Sequence, residues 1–183
     1  MAKMIPVGYL AKRVVPKPEI LDAPAVIDIY SVSGCVNDNF AEYIQYWKHN
    51  GYWLFDSPEI IRGLAAEHAL PLDGISLFYY ETYELELDGR SWRPFTAEPS
   101  VETQVIPPAH KTLEGFDVVI FFARNAPECS PLSCNSLASD RPTNSHCLFT
   151  SFEEAETALN NGAFEDAEPG PYRIFAVYSV DWP

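Results

Sequence analysis

The sequence predicts an α+β or α/β protein, a mixed sheet with packed helices, built from two diverged strand–helix–strand repeats. Three observations lead there. Of 183 residues, 47% are hydrophobic and 14% aromatic, enough for a well-packed core rather than a disordered chain. Runs rich in Val, Ile, Tyr and Phe alternate with amphipathic stretches that open on Ser, Asp or Pro and close on Gly. The order of these elements, and several of their residues, recurs in the second half.

In the first half, residues 1–24 read as an extended arm, because Pro6, Pro16, Pro18 and Pro24 forbid a long helix. Val14 and Val15 can form a short edge strand there. Residues 25–32 read as a strand. Residues 38–49 predict a helix capped by Asn37 or Asp38, with Phe40, Tyr43, Ile44 and Trp47 on one face and Gly51 as its stop. A short strand at 52–55 follows. Asp56 or Ser57 then caps a helix with Pro58 in its first position, and Ile60, Ile61, Leu64 and Ala65 form its apolar face. The longest strand signal covers 75–87.

The second half opens after a proline-containing connection over 89–115, in which 103–106 predicts a further strand. Residues 116–123 form a near-continuous apolar run, the mark of a central strand. Residues 125–145 are rich in Ser, Pro and Asn and read as loop. A short strand at 146–149 leads to Ser151, which with Glu154 makes a capping box for a helix ending near Asn160. Residues 172–180 predict the last strand. The expected organisation is thus an arm (1–24), a first repeat (25–88), a connection (89–115) and a second repeat (116–183), in one compact domain.

The repeat rests on aligned residues. Asn50, Leu54, Phe55, Ser57 and Glu59 lie over Asn144, Leu148, Phe149, Ser151 and Glu153. The final strands align Ile75 with Ile174 and Tyr79 with Tyr178, and the runs 25–32 and 116–123 take matching places as opening strands. The halves differ where the first has the helix 38–49 and the second has the loop 125–145. An irregular segment on a rigid scaffold is a favoured place for function.

Twenty-six acids against twelve bases give a net charge of −14. Such a chain repels phosphate backbones, so nucleic acid is not expected as a ligand. A basic protein partner is expected instead, in the manner of an acidic inhibitor, or a homodimer through an aromatic surface. The aromatic expectation rests on Tyr43, Tyr46, Trp47, Tyr52, Trp53, Tyr79, Tyr80 and Tyr83. Consecutive Phe78, Tyr79 and Tyr80 cannot all share one face of a strand. No apolar run is long enough to span a membrane and no signal peptide is read, which places the protein in the cytoplasm with reduced thiols.

The leading reading is a non-catalytic binding or regulatory protein, for the motifs of phosphate loops and nucleophile elbows are missing. The alternative is an enzyme or small-ligand binder with its site in 125–147, using Asn125, Cys134, Asn135 and Asn144. There Cys134 or Cys147 would be a thiolate activated by His146. A third reading places zinc on Cys129, Cys134 and His146, although this spacing is poor and adjacent His146 and Cys147 would face opposite ways on a strand. No cofactor is otherwise expected.

Overall fold

A computed structural model describes residues 3–33, 50–120 and 129–183. Its strands are β1 (Met4–Lys12), β2 (Val15–Pro16), β3 (Asp28–Ile29), β4 (Ser76–Tyr83), β5 (Leu85–Asp88), β6 (Ser91–Pro94), β7 (Thr112–Ile120) and β8 (Tyr172–Val180). Its helices are α1 (Pro58–Glu67), the single turn α2 (Pro131–Cys134) and α3 (Phe152–Asn160), with a 3₁₀ turn at Leu137–Ser139. No helix among the described residues is long and apolar enough to cross a membrane. The expected helix 38–49 lies outside the described residues.

β8 is the centre of a six-stranded sheet. It pairs β4 and then β5 along one edge and β7 along the other; β1 flanks β4 and β6 flanks β5. Five successive residues, Arg173 to Val177, are buried, as expected for a strand covered on both faces. Every pairing among the described residues is antiparallel, so the fold is α+β. The α/β and mixed-sheet alternatives are corrected here.

The reason lies in how the chain crosses. Tyr9 exchanges both backbone hydrogen bonds with Phe55, at 2.7 and 2.9 Å, and a strand residue's N–H and C=O point to the same edge. Phe55 therefore lies on the edge of β1 away from β4. The chain leaves Phe55, passes through α1 and returns as β4 on the far side of β1. This crossover skips a strand. Its first limb is a stub, not a strand over 52–55.

The same path recurs around β7. Phe116 exchanges both bonds with Phe149 at 2.9 Å, and α3 then leads to β8. Asn50 accepts from Tyr52 N and Leu54 N and donates to Val7 O at 2.9 Å. Asn144 accepts from His146 N and Leu148 N and donates to Glu114 O at 2.7 Å. Trp53 and Cys147 both take left-handed φ values, 57° and 62°, which explains why neither 52–55 nor 146–149 continues as a strand. Gly8 and Gly115 sit at register shifts in β1 and β7, with φ of 128° and 151°. A Cβ on either would lie 2.6 Å from Phe55 O or 2.7 Å from Phe149 O, so only glycine lets the stub approach.

These correspondences move two sequence alignments. The strand matching β7 is β1, inside the expected arm, rather than 25–32. That run holds only β3, paired to β2. Gly8 stands opposite Tyr80 and Gly115 opposite Val177, so the last strands correspond as Tyr80 to Val177, two residues off the match of Tyr79 with Tyr178. The signal 75–87 divides at Glu84, whose N–H turns to Lys3 O and whose C=O accepts from Phe95 N. Residues 103–106 are a strap rather than a strand: Asp56 takes Thr103 Oγ1 and Gln104 N on its carboxylate and Ile106 N on its carbonyl.

Alternation on β4 divides the aromatics between two covered faces. Tyr79 packs with Tyr9 and Tyr178, ring centroids 5.0 and 5.8 Å away. Phe78 and Tyr80 share the other face with Tyr30 against Phe78. All three of Phe78, Tyr79 and Tyr80 are buried, so the expected aromatic dimer surface is core at this place. Tyr43, Tyr46 and Trp47 lie outside the described residues.

Candidate functional site

Asp117 stands in the apolar run of β7 and is wholly buried. A carboxylate there demands donors. Ser31 Oγ gives one to Oδ2 at 2.6 Å, Val32 N another at 3.2 Å, and Ser130 Oγ a third to Oδ1 at 2.5 Å. Burial nonetheless wins over these hydrogen bonds and over the nearby Lys12 charge, and lifts the Asp117 carboxyl to about 6. The carboxylate thereby ties two irregular segments, 31–33 and 130–134, to the sheet.

Lys12 closes the cluster from β1. It is 1% exposed, donates to Ser31 O and lies 4.7 Å over the Phe78 ring. Tyr80 enters from β4. Its hydroxyl is buried with no hydrogen-bond partner among the described residues, and burial first, then the Asp117 charge, raises its pKa well above the ordinary value. Cys134 adds its thiol 3.8 Å from Ser33 Oγ.

The residues expected to form a site in 125–147 do different things. Asn125 lies outside the described residues. Asn135 Oδ1 accepts from the Cys129 thiol at 3.5 Å. Asn144 uses its Oδ1 on its own loop and donates from Nδ2 to β7, a structural duty. His146 is held away from the thiols: Nδ1 meets Asp28 Oδ1 at 2.6 Å, Nε2 lies 3.8 Å from Glu114 Oε2, and the ring stacks on Tyr30 at 3.9 Å. Cys147 is buried, and burial pushes its thiol up to about 12, with Asp117 and Cys134 adding to the rise. In this arrangement the His146 ring is engaged with Asp28, Glu114 and Tyr30, and burial holds the Cys147 thiol neutral. Cys129, Cys134 and Cys147 form no disulfide.

Zinc on Cys129, Cys134 and His146 fails on the same geometry, for each side chain addresses a different neighbour. Among the described residues no three His, Cys, Asp or Glu side chains converge on a metal position.

Sequence reasoning missed Asp117, Lys12, Ser31, Ser130 and Tyr80. The available signal was Asp117 itself, a lone acid inside the run 116–123. The serines carry no such signal, because only the tertiary fold brings them to it.

The surface shows a second feature. Of the twelve Lys and Arg residues, Lys48 and Arg124 lie outside the described residues. Each of the other ten is engaged within the molecule. Lys3, Arg90, Arg93, Lys111 and Arg173 pair with Glu84, Glu165, Glu86 with Asp88, Glu81 and Glu86. Lys12, Arg13, Lys17, Arg62 and Arg141 donate to backbone carbonyls. The acids are far less consumed. Residues 153–168 hold Glu153, Glu154, Glu156, Glu165, Asp166 and Glu168 and no base, and all but the half-buried Glu156 are exposed. α3 also has no basic residue in its last turn, so its negative dipole end adds to this field.

The chain matches no family model, no curated protein and no solved structure.

Proposed function

We propose that the protein is an acidic binding module that regulates or masks a basic protein partner. One observation carries this reading: residues 153–168 hold six acids and no base, five of the six are exposed, and of these six Glu165 alone forms an ion pair among the described residues, with Arg90 at 3.6 Å. A surface of this kind raises the association rate of a cationic partner and makes binding salt-sensitive. The reduced thiols of Cys129, Cys134 and Cys147 support a cytoplasmic setting.

The two Asn-anchored crossovers around β1 and β7 support descent from one duplicated unit. In this reading the bulge glycine, the Asn bracket, the helix and the return strand were kept. The segments between opening strand and bracket, 13–49 and 121–143, diverged.

The test is direct. Immobilised protein is presented with native lysate at low and high salt, beside a variant carrying Glu153→Gln, Glu156→Gln, Asp166→Asn and Glu168→Gln. The reading expects one basic partner at one-to-one stoichiometry, released by salt and not held by the variant. Equal capture by the variant would overturn it.

A second reading, a small polar-ligand site, draws on the Asp117 cluster. Its support is the unsatisfied Tyr80 hydroxyl beside a buried carboxyl, a costly arrangement for a purely structural core. Equilibrium dialysis against a metabolite library, comparing the protein with Tyr80→Phe, tests it. Binding that Tyr80→Phe leaves unchanged counts against it.

A further inference from the structure

A groove of about 310 Å³ runs between the β5–β6 turn and the C-terminal end of α3. Leu87, Leu159 and Phe164, all buried, and Tyr172 lie at its base, and Arg90, Asn160, Asn161 and Glu165 supply polar lining. Across its mouth Arg90 reaches Glu165 at 3.6 Å, with both side chains largely exposed, 88% and 65%. Glu165 folds back over Gly162, so close that a Cβ on that glycine would lie 2.7 Å from Oε1. This sets a carboxylate at the negative end of the α3 dipole, a position that calls for a cation.

We infer that this groove is the anchor point for one arginine or lysine side chain of the basic partner, with Arg90 as the internal cation it displaces. The inference rests on the reading given under Proposed function. The chemistry matches the occupant in two ways. A long cationic side chain has an apolar stem and a charged head; the groove has Leu87, Leu159, Phe164 and Tyr172 at its base and the Glu165 carboxylate at its rim. The resident Arg90–Glu165 pair, exposed and stretched, is the weak kind that exchanges readily. Displacement releases Arg90 to solvent and leaves the partner's cation on Glu165, so the number of ion pairs is conserved.

The sign of one variant separates this inference from general acidic attraction. Arg90→Ala removes a positive charge and also removes the competitor for Glu165. Glu165→Gln removes the acceptor. Both positions are exposed, so the fold tolerates either change. The probe is the capped tripeptide Ac-Ala-Arg-Ala-NH2, with Ac-Ala-Gln-Ala-NH2 as neutral control, followed by amide and indole NMR shifts. The arginine peptide is expected to shift Gly89, Asn161, Gly162 and the Trp92 indole, which donates to Asn160 Oδ1 at 2.8 Å. Arg90→Ala is expected to tighten binding at least threefold and Glu165→Gln to weaken it at least threefold.

Shifts spread over all acidic segments, or no tightening with Arg90→Ala, would overturn the groove while leaving the acidic-module reading intact if salt-sensitive partner capture persists. Equal capture by the four-site variant, together with an intact peptide response, would overturn the acidic-module reading and leave the groove supported as an isolated cation site.

Discussion

Gly8 on β1 and Gly115 on β7 occupy the two ends of one row across the sheet: Gly8 faces Tyr80, Tyr80 faces Val177, and Val177 faces Gly115. Each glycine admits a stub of chain whose asparagine, Asn50 or Asn144, brackets it. Gly8→Ala or Gly115→Ala places a methyl against a carbonyl and forces an L-residue to positive φ, so each is expected to cost about 2–4 kcal/mol. Gly63→Ala in α1 meets nothing within 4 Å and is expected to add about 0.5–1 kcal/mol of helix stability. Urea unfolding of the three variants checks the pattern, and equal effects at Gly8 and Gly63 would contradict it.

Asn144 has a structural duty in this account, so Asn144→Ala leaves two backbone donors and one carbonyl without their partner. A loss of about 2 kcal/mol is expected, with a similar loss for Asn50→Ala. Partner or ligand binding by Asn144→Ala, measured where it remains folded, is expected to match the parent protein. A selective loss of binding with unchanged stability would restore Asn144 as a ligand residue.

Asp117 makes stability depend on pH. Its folded value of about 6 lies above the ordinary carboxyl value of 3.8. The native state therefore holds the proton more tightly than the unfolded chain. This contribution is fully present below pH 4 and is lost as pH rises through 6, amounting to roughly 3 kcal/mol for a shift of this size. Relative to Asp117→Asn, the parent protein is expected to lose stability between pH 4.5 and 7. A difference between the two that stays flat over this range would refute the assignment.

Thiol chemistry reports the placement of the cysteines. Burial holds Cys147 as a neutral thiol up to about 12, and Cys129 is 8% exposed. Peptide-resolved alkylation at pH 7.5 is expected to label half-buried Cys134 first and Cys147 only on unfolding. Labelling of Cys147 at the rate of a small-molecule thiol would show that His146 or another group activates it after all.

Arg173 and Glu86 form a buried pair at 2.7 Å in which Arg93 shares the carboxylate at 2.8 Å, and the Arg173 guanidinium lies 3.1 Å over the Phe95 ring. Glu86→Gln removes the carboxylate charge that pairs with the buried guanidinium, with an expected cost of about 3–5 kcal/mol. Arg173→Met with Glu86→Gln together is expected to recover part of it. Thermal or urea unfolding of the single and double variants measures the coupling.

Local chemistry was legible residue by residue. Ser57, Pro58, Ser151 and Glu154 announce helix starts, and α1 and α3 begin there; Ser151 Oγ accepts from Glu154 N, while Glu154 takes Thr150 N and Oγ1 on its carboxylate. Apolar runs announced β4, β7 and β8, because a strand buried on both faces needs them along its length. β1 was harder to see. Its Pro6 reads as a breaker, yet it is tolerated beside the register shift at Gly8. The acid excess was plain, whereas its outward placement required knowing where each base is spent. The sequence by itself determined the helix starts, the central strands and the sign of the surface, since these follow from contacts within a few residues or from composition. Only the tertiary structure decided the antiparallel order, the crossover past β1 and β7, and the meeting of Lys12, Ser31, Tyr80, Asp117 and Ser130, because each depends on which distant segments share an edge of the sheet.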